Sequence, residues 1–138
     1  MPPVRSVVET SLYVKDLWAA QSFYERTLGF RQIHREEERL HAMAIPDGHV
    51  LLLFRSGAST TATDTPGGRI PPHDGHGQLH VAFGIGVEQI EEWKAHLASQ
   101  GVAIESEVRT PRGGNSLYFR DPDGHLIELV TPGAWSVY

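Results

Sequence analysis

The chain repeats itself. The run PDGHVLLLF at 46–54 returns as PDGHLIELV at 122–130, 76 residues further on. Upstream, ETSLYV starting at Glu9 stands over HVAFGI starting at His80, and a closing glycine follows 20 residues later in the first copy (Gly29) and 21 in the second (Gly101). This duplication constrains the fold more than any single helix or strand signal does. A half-chain of about fifty residues cannot bury a sheet by itself, so the two halves must pair.

Each copy reads strand, helix, strand, strand, strand. In the first, Val8, Thr10, Leu12 and Val14 alternate with Val7, Glu9, Ser11 and Tyr13, the period of two that marks a strand over 7–14. Asp16 is placed to cap LWAAQSFYERTL, in which Leu17, Ala20, Tyr24 and Leu28 share a helical face, and Gly29 closes it. Strands are expected at 30–35, 40–45 and 49–54, with Pro46-Asp47-Gly48 turning between the last two. The second copy gives a strand at 79–86 and a helix carrying Ile90, Trp93 and Leu97. Further strands are expected near 102–109, 116–120 and 125–130. Between the copies, residues 56–78 (SGASTTATDTPGGRIPPHDGHGQ) hold no periodicity and read as a linker or lid.

Composition narrows the function classes. The 138 residues suit one domain, and the absence of cysteine excludes thiol nucleophiles, cysteine zinc sites and iron–sulfur clusters. Any metal must be held by the eight His or the seventeen acidic residues. A net charge of −5 with scattered basic residues argues against a nucleic-acid partner. No apolar run approaches a membrane span, and MPPVRSVVET lacks the apolar core of a signal peptide, so a soluble cytoplasmic protein is expected.

Superposing the copies makes Glu9 equivalent to His80 on the opening strands and Leu52 equivalent to Glu128 on the closing strands. Three of these four are metal-ligand types. Strand alternation puts Glu128 on a face with Leu126 and Val130, and His80 on a face with Ala82 and Gly84. An ionised carboxylate among apolar groups is costly unless a cation or donor compensates it, so two acids with a histidine invite a divalent ion.

The runs ETSLYVKDLWAAQSFYERTLGF, GQLHVAFGI and SLYFRDPDGHLIEL resemble the vicinal oxygen chelate superfamily, which includes glyoxalase I, fosfomycin-resistance enzymes, extradiol dioxygenases and bleomycin-resistance proteins. The resemblance covers about residues 7–132. It implies an α+β glyoxalase-like fold in which two paired βαβββ modules form a half-barrel around a metal. Module 1 would then occupy about 5–55, the linker or lid 56–78, module 2 about 79–132 and a tail 133–138, all in a single domain. It also implies a homodimer, with modules paired within one chain or exchanged between two; in the exchanged form Glu9 comes from one chain and His80 with Glu128 from the other.

Carried over position by position, the family's metal ligands fall on Glu9, His80 and Glu128. The fourth ligand of glyoxalase I, an acid that takes part in proton transfer, falls on Leu52, which cannot coordinate. The resemblance therefore implies one divalent ion (Mn, Fe, Ni, Zn or Co) acting as a Lewis acid on a small substrate with vicinal oxygens, in lyase, isomerase or epoxide- and antibiotic-modifying chemistry. Two carboxylates neutralise such an ion and the usual oxygenase triad carries two His, so redox chemistry ranks lower. A metal-free ligand-sequestering protein of the bleomycin-resistance type and an extradiol dioxygenase are the alternatives. Candidate substrate contacts are Ser11, Tyr13, Leu52, Phe54, Tyr118 and Arg120, with no general base identified. The other seven His rank lower: His73 and His76 as solvated loop groups, with a lid role near the substrate as the alternative, His49 and His125 as surface groups beside turns, His34 and His41 on first-module strands where one of them can face the pocket, His96 on a helix surface.

Overall fold

A computed structural model describes every residue except Glu37 and divides the chain into two compact units, Met1–His76 and Gly77–Tyr138. Among the described residues no helix is long and apolar enough to cross a membrane. The architecture is α+β, with the same strand–helix–three-strand order in each unit.

In the first unit β1 (Glu9–Val14) leads into α1 (Leu17–Leu28), followed by β2 (Arg31–Glu36), β3 (Leu40–Ile45) and β4 (His49–Arg55). The sheet order is β1-β4-β3-β2, with β1 and β4 parallel and the other pairs antiparallel. Helix α1 begins where the sequence signals it should. The Asp16 carboxylate accepts from Trp18 N at 2.9 Å and Ala19 N at 3.0 Å, satisfying two of the orphan donors of the first turn. It ends at Gly29, whose φ of 70° is the left-handed conformation that glycine adopts without a Cβ penalty. The buried stripe of Leu17, Ala20, Phe23, Tyr24 and Thr27 faces inward. Fully burying a side chain such as Leu17 or Phe23 is worth about 1.5–3 kcal/mol, so packing rather than propensity holds this short helix.

Two expectations for this unit change. Strand β1 starts at Glu9 rather than at residue 7, leaving Val7 and Val8 exposed at the sheet edge. The 56–78 segment is not featureless: β5 (Thr63–Thr65) and β6 (Gly68–Ile70) form a small hairpin inside it. Three-residue strands are too short for period two to show.

In the second unit β7 (His80–Gly84), α2 (Ile90–Ser99), β8 (Ser106–Arg109), β9 (Asn115–Arg120) and β10 (Leu126–Val130) repeat the pattern. The order β7-β10-β9-β8, with β7 and β10 parallel, matches the first sheet strand for strand. Leu117, Phe119, Ile127 and Leu129 are sealed on one face of this sheet and, with Leu97, supply its core. The turn before β10 is held by Asp121, whose Oδ1 accepts from Asp123 N at 3.0 Å and His125 N at 2.9 Å. Strand β8 begins four residues later than expected and all four of its residues are exposed, as suits an edge strand paired on one side only.

Candidate metal and substrate site

The open face of each sheet can be read as three rows across the strands. In module 1 the rows are Glu9–Val50–Ala44, then Ser11–Leu52–Ala42, then Tyr13–Phe54–Leu40. In module 2 they are His80–Leu126–Arg120, then Ala82–Glu128–Tyr118, then Gly84–Val130–Ser116. The registers agree row for row, so the equivalences of Glu9 with His80 and Leu52 with Glu128 hold in three dimensions within each sheet.

Module 2 brings two of the candidate ligands together. His80 Nε2 lies 3.3 Å from Glu128 Oε2, on neighbouring parallel strands. The His80 side chain is about half exposed, while Glu128 is only 9% exposed. His80 Nδ1 is 3.0 Å from the Leu126 carbonyl, which can only accept, so Nδ1 carries the hydrogen. With that hydrogen bond in place, the imidazole directs Nε2 at the carboxylate. Two electron-rich atoms held this way need a proton or a cation between them. Ligand atoms about 2.1 Å from one divalent ion lie about 3.0 Å apart at a right angle and about 3.4 Å apart at a tetrahedral angle. The observed 3.3 Å falls inside that interval, so the pair fits a metal as built. The other carboxylate oxygen, Oε1, accepts from the Tyr118 hydroxyl at 3.0 Å. Burial raises the Tyr118 pKa, Ser116 opposes the shift and Glu128 adds to it, so the phenol stays protonated as that donor.

Among the described residues no three His, Asp or Glu side chains gather as a metal-holding group. Glu9 is exposed on the first row of module 1. Ser11, Leu52 and Phe54 line the same face, and Leu52 stands in the row position that Glu128 holds in module 2. Arg120, a candidate substrate contact, is engaged elsewhere. Its Nε donates to Glu105 at 2.7 Å and its Nη1 to the Gly124 carbonyl at 3.1 Å, which ties β9 to the following turn. The guanidinium beside Glu105 lowers that carboxyl's pKa.

Several histidines sit where sequence reasoning did not place them. His125 is 1% exposed rather than on the surface, and its Nδ1 accepts from Leu79 N at 3.0 Å. His41 is fully buried beneath Trp18, ring centroids 4.8 Å apart, and neither ring nitrogen has a partner among the described residues. Desolvation, reinforced by Arg35 and opposed by Glu25, depresses its pKa. His73 is only partly exposed and does not stand free as a solvated loop group. It folds back onto module 1, where Nδ1 lies 2.8 Å from the Tyr13 hydroxyl and the ring packs edge-on against Phe54 at 4.5 Å. Nothing local in PPHDGH signals this, because the contact spans 60 residues of chain.

The family model described as the Glyoxalase/Bleomycin resistance protein/Dioxygenase superfamily matches residues 6–129. A lactoylglutathione lyase from Agrobacterium tumefaciens has a similar structure, with a TM-score of 0.88, 31% identity, and 98% of this chain and 99% of that one covered. The metallothiol transferase FosB of Bacillus licheniformis is 28% identical over 119 residues, covering 86% of this chain and 70% of the relative. FosB of Staphylococcus epidermidis is 40% identical, over a stretch covering 41% of this chain and 40% of that protein. The matched stretch thus spans about two fifths of the staphylococcal relatives' length.

Proposed function

Because the chain belongs to the Glyoxalase/Bleomycin resistance protein/Dioxygenase superfamily, we propose that it is a divalent-metal enzyme that opens a small oxygenated electrophile, in the manner of the thiol-transferring, antibiotic-modifying relatives. The observation that carries this reading is the 3.3 Å approach of His80 Nε2 to a nearly buried Glu128 Oε2, with each group oriented by its own hydrogen bond. Glu9 is the nominated third ligand, from the same chain or from a second one. When bound, the ion supplies Lewis acidity, stabilising negative charge that develops on a chelated oxygen.

The chain's own residues do the rest. His80 and Glu128 hold the charge, and the Tyr118 hydroxyl keeps Glu128 aimed by occupying its second oxygen. Leu52, with Ala42 beside it, leaves the middle row of module 1 without the carboxylate that would carry a proton between carbons, which favours addition over isomerisation. In an addition to an epoxide, a thiol sulfur bonds to one ring carbon as the C–O bond breaks. The electron pair stays on oxygen, which takes up the thiol proton.

The test is incubation with fosfomycin, a small epoxide, and glutathione or cysteine, with Mn²⁺, Ni²⁺ or Zn²⁺ in turn, followed by phosphorus NMR. Metal-dependent appearance of a thiol adduct is the expected result. Formation of S-lactoylglutathione from methylglyoxal and glutathione, with fosfomycin untouched, would assign the protein to lyase chemistry and overturn the proposal.

A further inference from the structure

The third row of module 1 is closed by a chain segment that the proposed reaction does not use. Residues 71–76 fold back over it and are held at three points. The His73 ring meets Tyr13 and Phe54, His73 N donates to the Ser59 carbonyl at 2.9 Å, and Asp74 Oδ1 accepts from Gly57 N at 3.1 Å. Gly75 lies flush on the Tyr13 ring, so close that a Cβ there would collide with it. Tyr13 and His73 both remain partly exposed. Module 2, taken by itself, is closed at the same row by another segment: the Tyr138 hydroxyl sits over Gly84, the repeat equivalent of Tyr13, and donates to the Val130 carbonyl at 3.4 Å. Two unrelated segments thus end the open face at the same row, one by packing His73 and Gly75 onto Tyr13, the other by setting Tyr138 over Gly84.

We propose that the Tyr13–His73 pair is a substrate-recognition point that binds an uncharged hydrogen-bonding group, such as an amide or hydroxyl, at the far end of a molecule chelated near Glu9. The inference rests on the metal reading above and deepens it. Glu9 and Tyr13 share a face and are four residues apart, about 13–14 Å at ~3.4 Å per residue. A molecule of about that length spans it. Between them the floor is low, formed by Ser11, Leu52 and Ala42.

The chemistry of the pair selects the group it meets. When the Tyr13 hydroxyl donates to Nδ1, a neutral His73 carries its hydrogen on Nε2 and offers it as a donor, and a phenol oxygen is of a type that also accepts. Burial raises the Tyr13 pKa and Asp74 adds to the shift, so the phenol stays protonated; the Asp74 carboxylate, fixed by Gly57 N at 3.1 Å, repels an anionic group. Arg39, over the Phe54 ring at 5.5 Å, is already bound through two nitrogens to Glu36. His73 is the positioning residue and Tyr13 the contact.

The test uses the Mn²⁺-loaded full chain and three hydroxamates in isothermal titration: acetohydroxamate (chelating head alone), octanohydroxamate (apolar tail) and the hydroxamate of suberic acid monoamide (amide tail). Tyr13→Phe should weaken the amide-tailed probe about tenfold, as for a lost hydrogen bond, and leave the other two unchanged. His73→Ala should do the same, and His73→Asn, whose amide oxygen can take the place of Nδ1, should restore affinity. Equal binding of the amide-tailed probe to wild type and Tyr13→Phe, with acetohydroxamate still bound, overturns this inference alone. Failure of acetohydroxamate to bind the loaded protein overturns it together with the metal reading.

Discussion

Replacing Glu128 with Gln separates the metal reading from a purely structural role for the same residue. The substitution is isosteric and the local contacts survive it. The Gln carbonyl oxygen still accepts from the Tyr118 hydroxyl at the observed 3.0 Å, and the new amide N–H faces His80 Nε2 at about the 3.3 Å the carboxylate now spans. Stability without metal should therefore stay within about 1 kcal/mol of wild type. Metal affinity should not survive, because an anionic ligand has become a neutral one. Even removing a partner beyond the ligands themselves costs 10–100-fold, so a loss of at least about 100-fold is expected here. At a metal concentration of about 100 times the wild-type Kd, binding stabilises wild type by about 2.7 kcal/mol and the variant by about 0.4 kcal/mol. For a chain of this size about 4 °C accompanies each kcal/mol, so metal should raise the wild-type Tm by about 10 °C and the variant's by about 2 °C. The assay is thermal denaturation with and without Mn²⁺ or Ni²⁺, alongside elemental analysis of dialysed protein. An equal metal-induced shift in both proteins would refute the assignment of Glu128 as a ligand.

The source of Glu9 can be read by subunit mixing. Glu9→Ala and Glu128→Ala chains, each metal-poor alone, should regain about a quarter of a site per chain when co-refolded in equal amounts if modules are exchanged, since half the dimers are mixed and each mixed dimer has one intact site, and none if each site lies within one chain. His41 should prove a stability liability. Burying its two unpartnered nitrogens costs about 1–3 kcal/mol, so His41→Leu should raise Tm by several degrees. Its depressed folded pKa means that the unfolded chain binds the proton first. Wild-type stability should accordingly fall as pH drops below about 6.5 toward the folded value, with a shallower fall in His41→Leu by denaturant titration at pH 5 to 8. Asp16→Ala removes the two-donor cap of α1 and should cost about 1 kcal/mol, visible as a Tm lowered by about 4 °C; an unchanged Tm would remove the cap from the account.

How far the sequence reaches depends on the range of the interactions involved. Strands β3 and β4 and helix α1 are legible to within a residue, because alternation, the Asp16 cap and the Gly29 stop act over a few neighbours. The hairpin at 63–70 is not, since three-residue strands leave no period to detect. His125 reads as a turn-flanking surface group and proves buried, because its burial depends on Leu79 arriving from 46 residues away.

The same division runs through the candidate site. Duplication by itself determined that Glu9 and His80, and Leu52 and Glu128, are equivalent, and alternation determined which face each would share. What tertiary structure decided is which of them meet: parallel pairing of β7 with β10 sets His80 beside Glu128, and β9 adds the Tyr118 hydroxyl. It also drew His73 across 60 residues onto Tyr13, a contact made by chain closure and aromatic packing, to which local sequence pattern is blind.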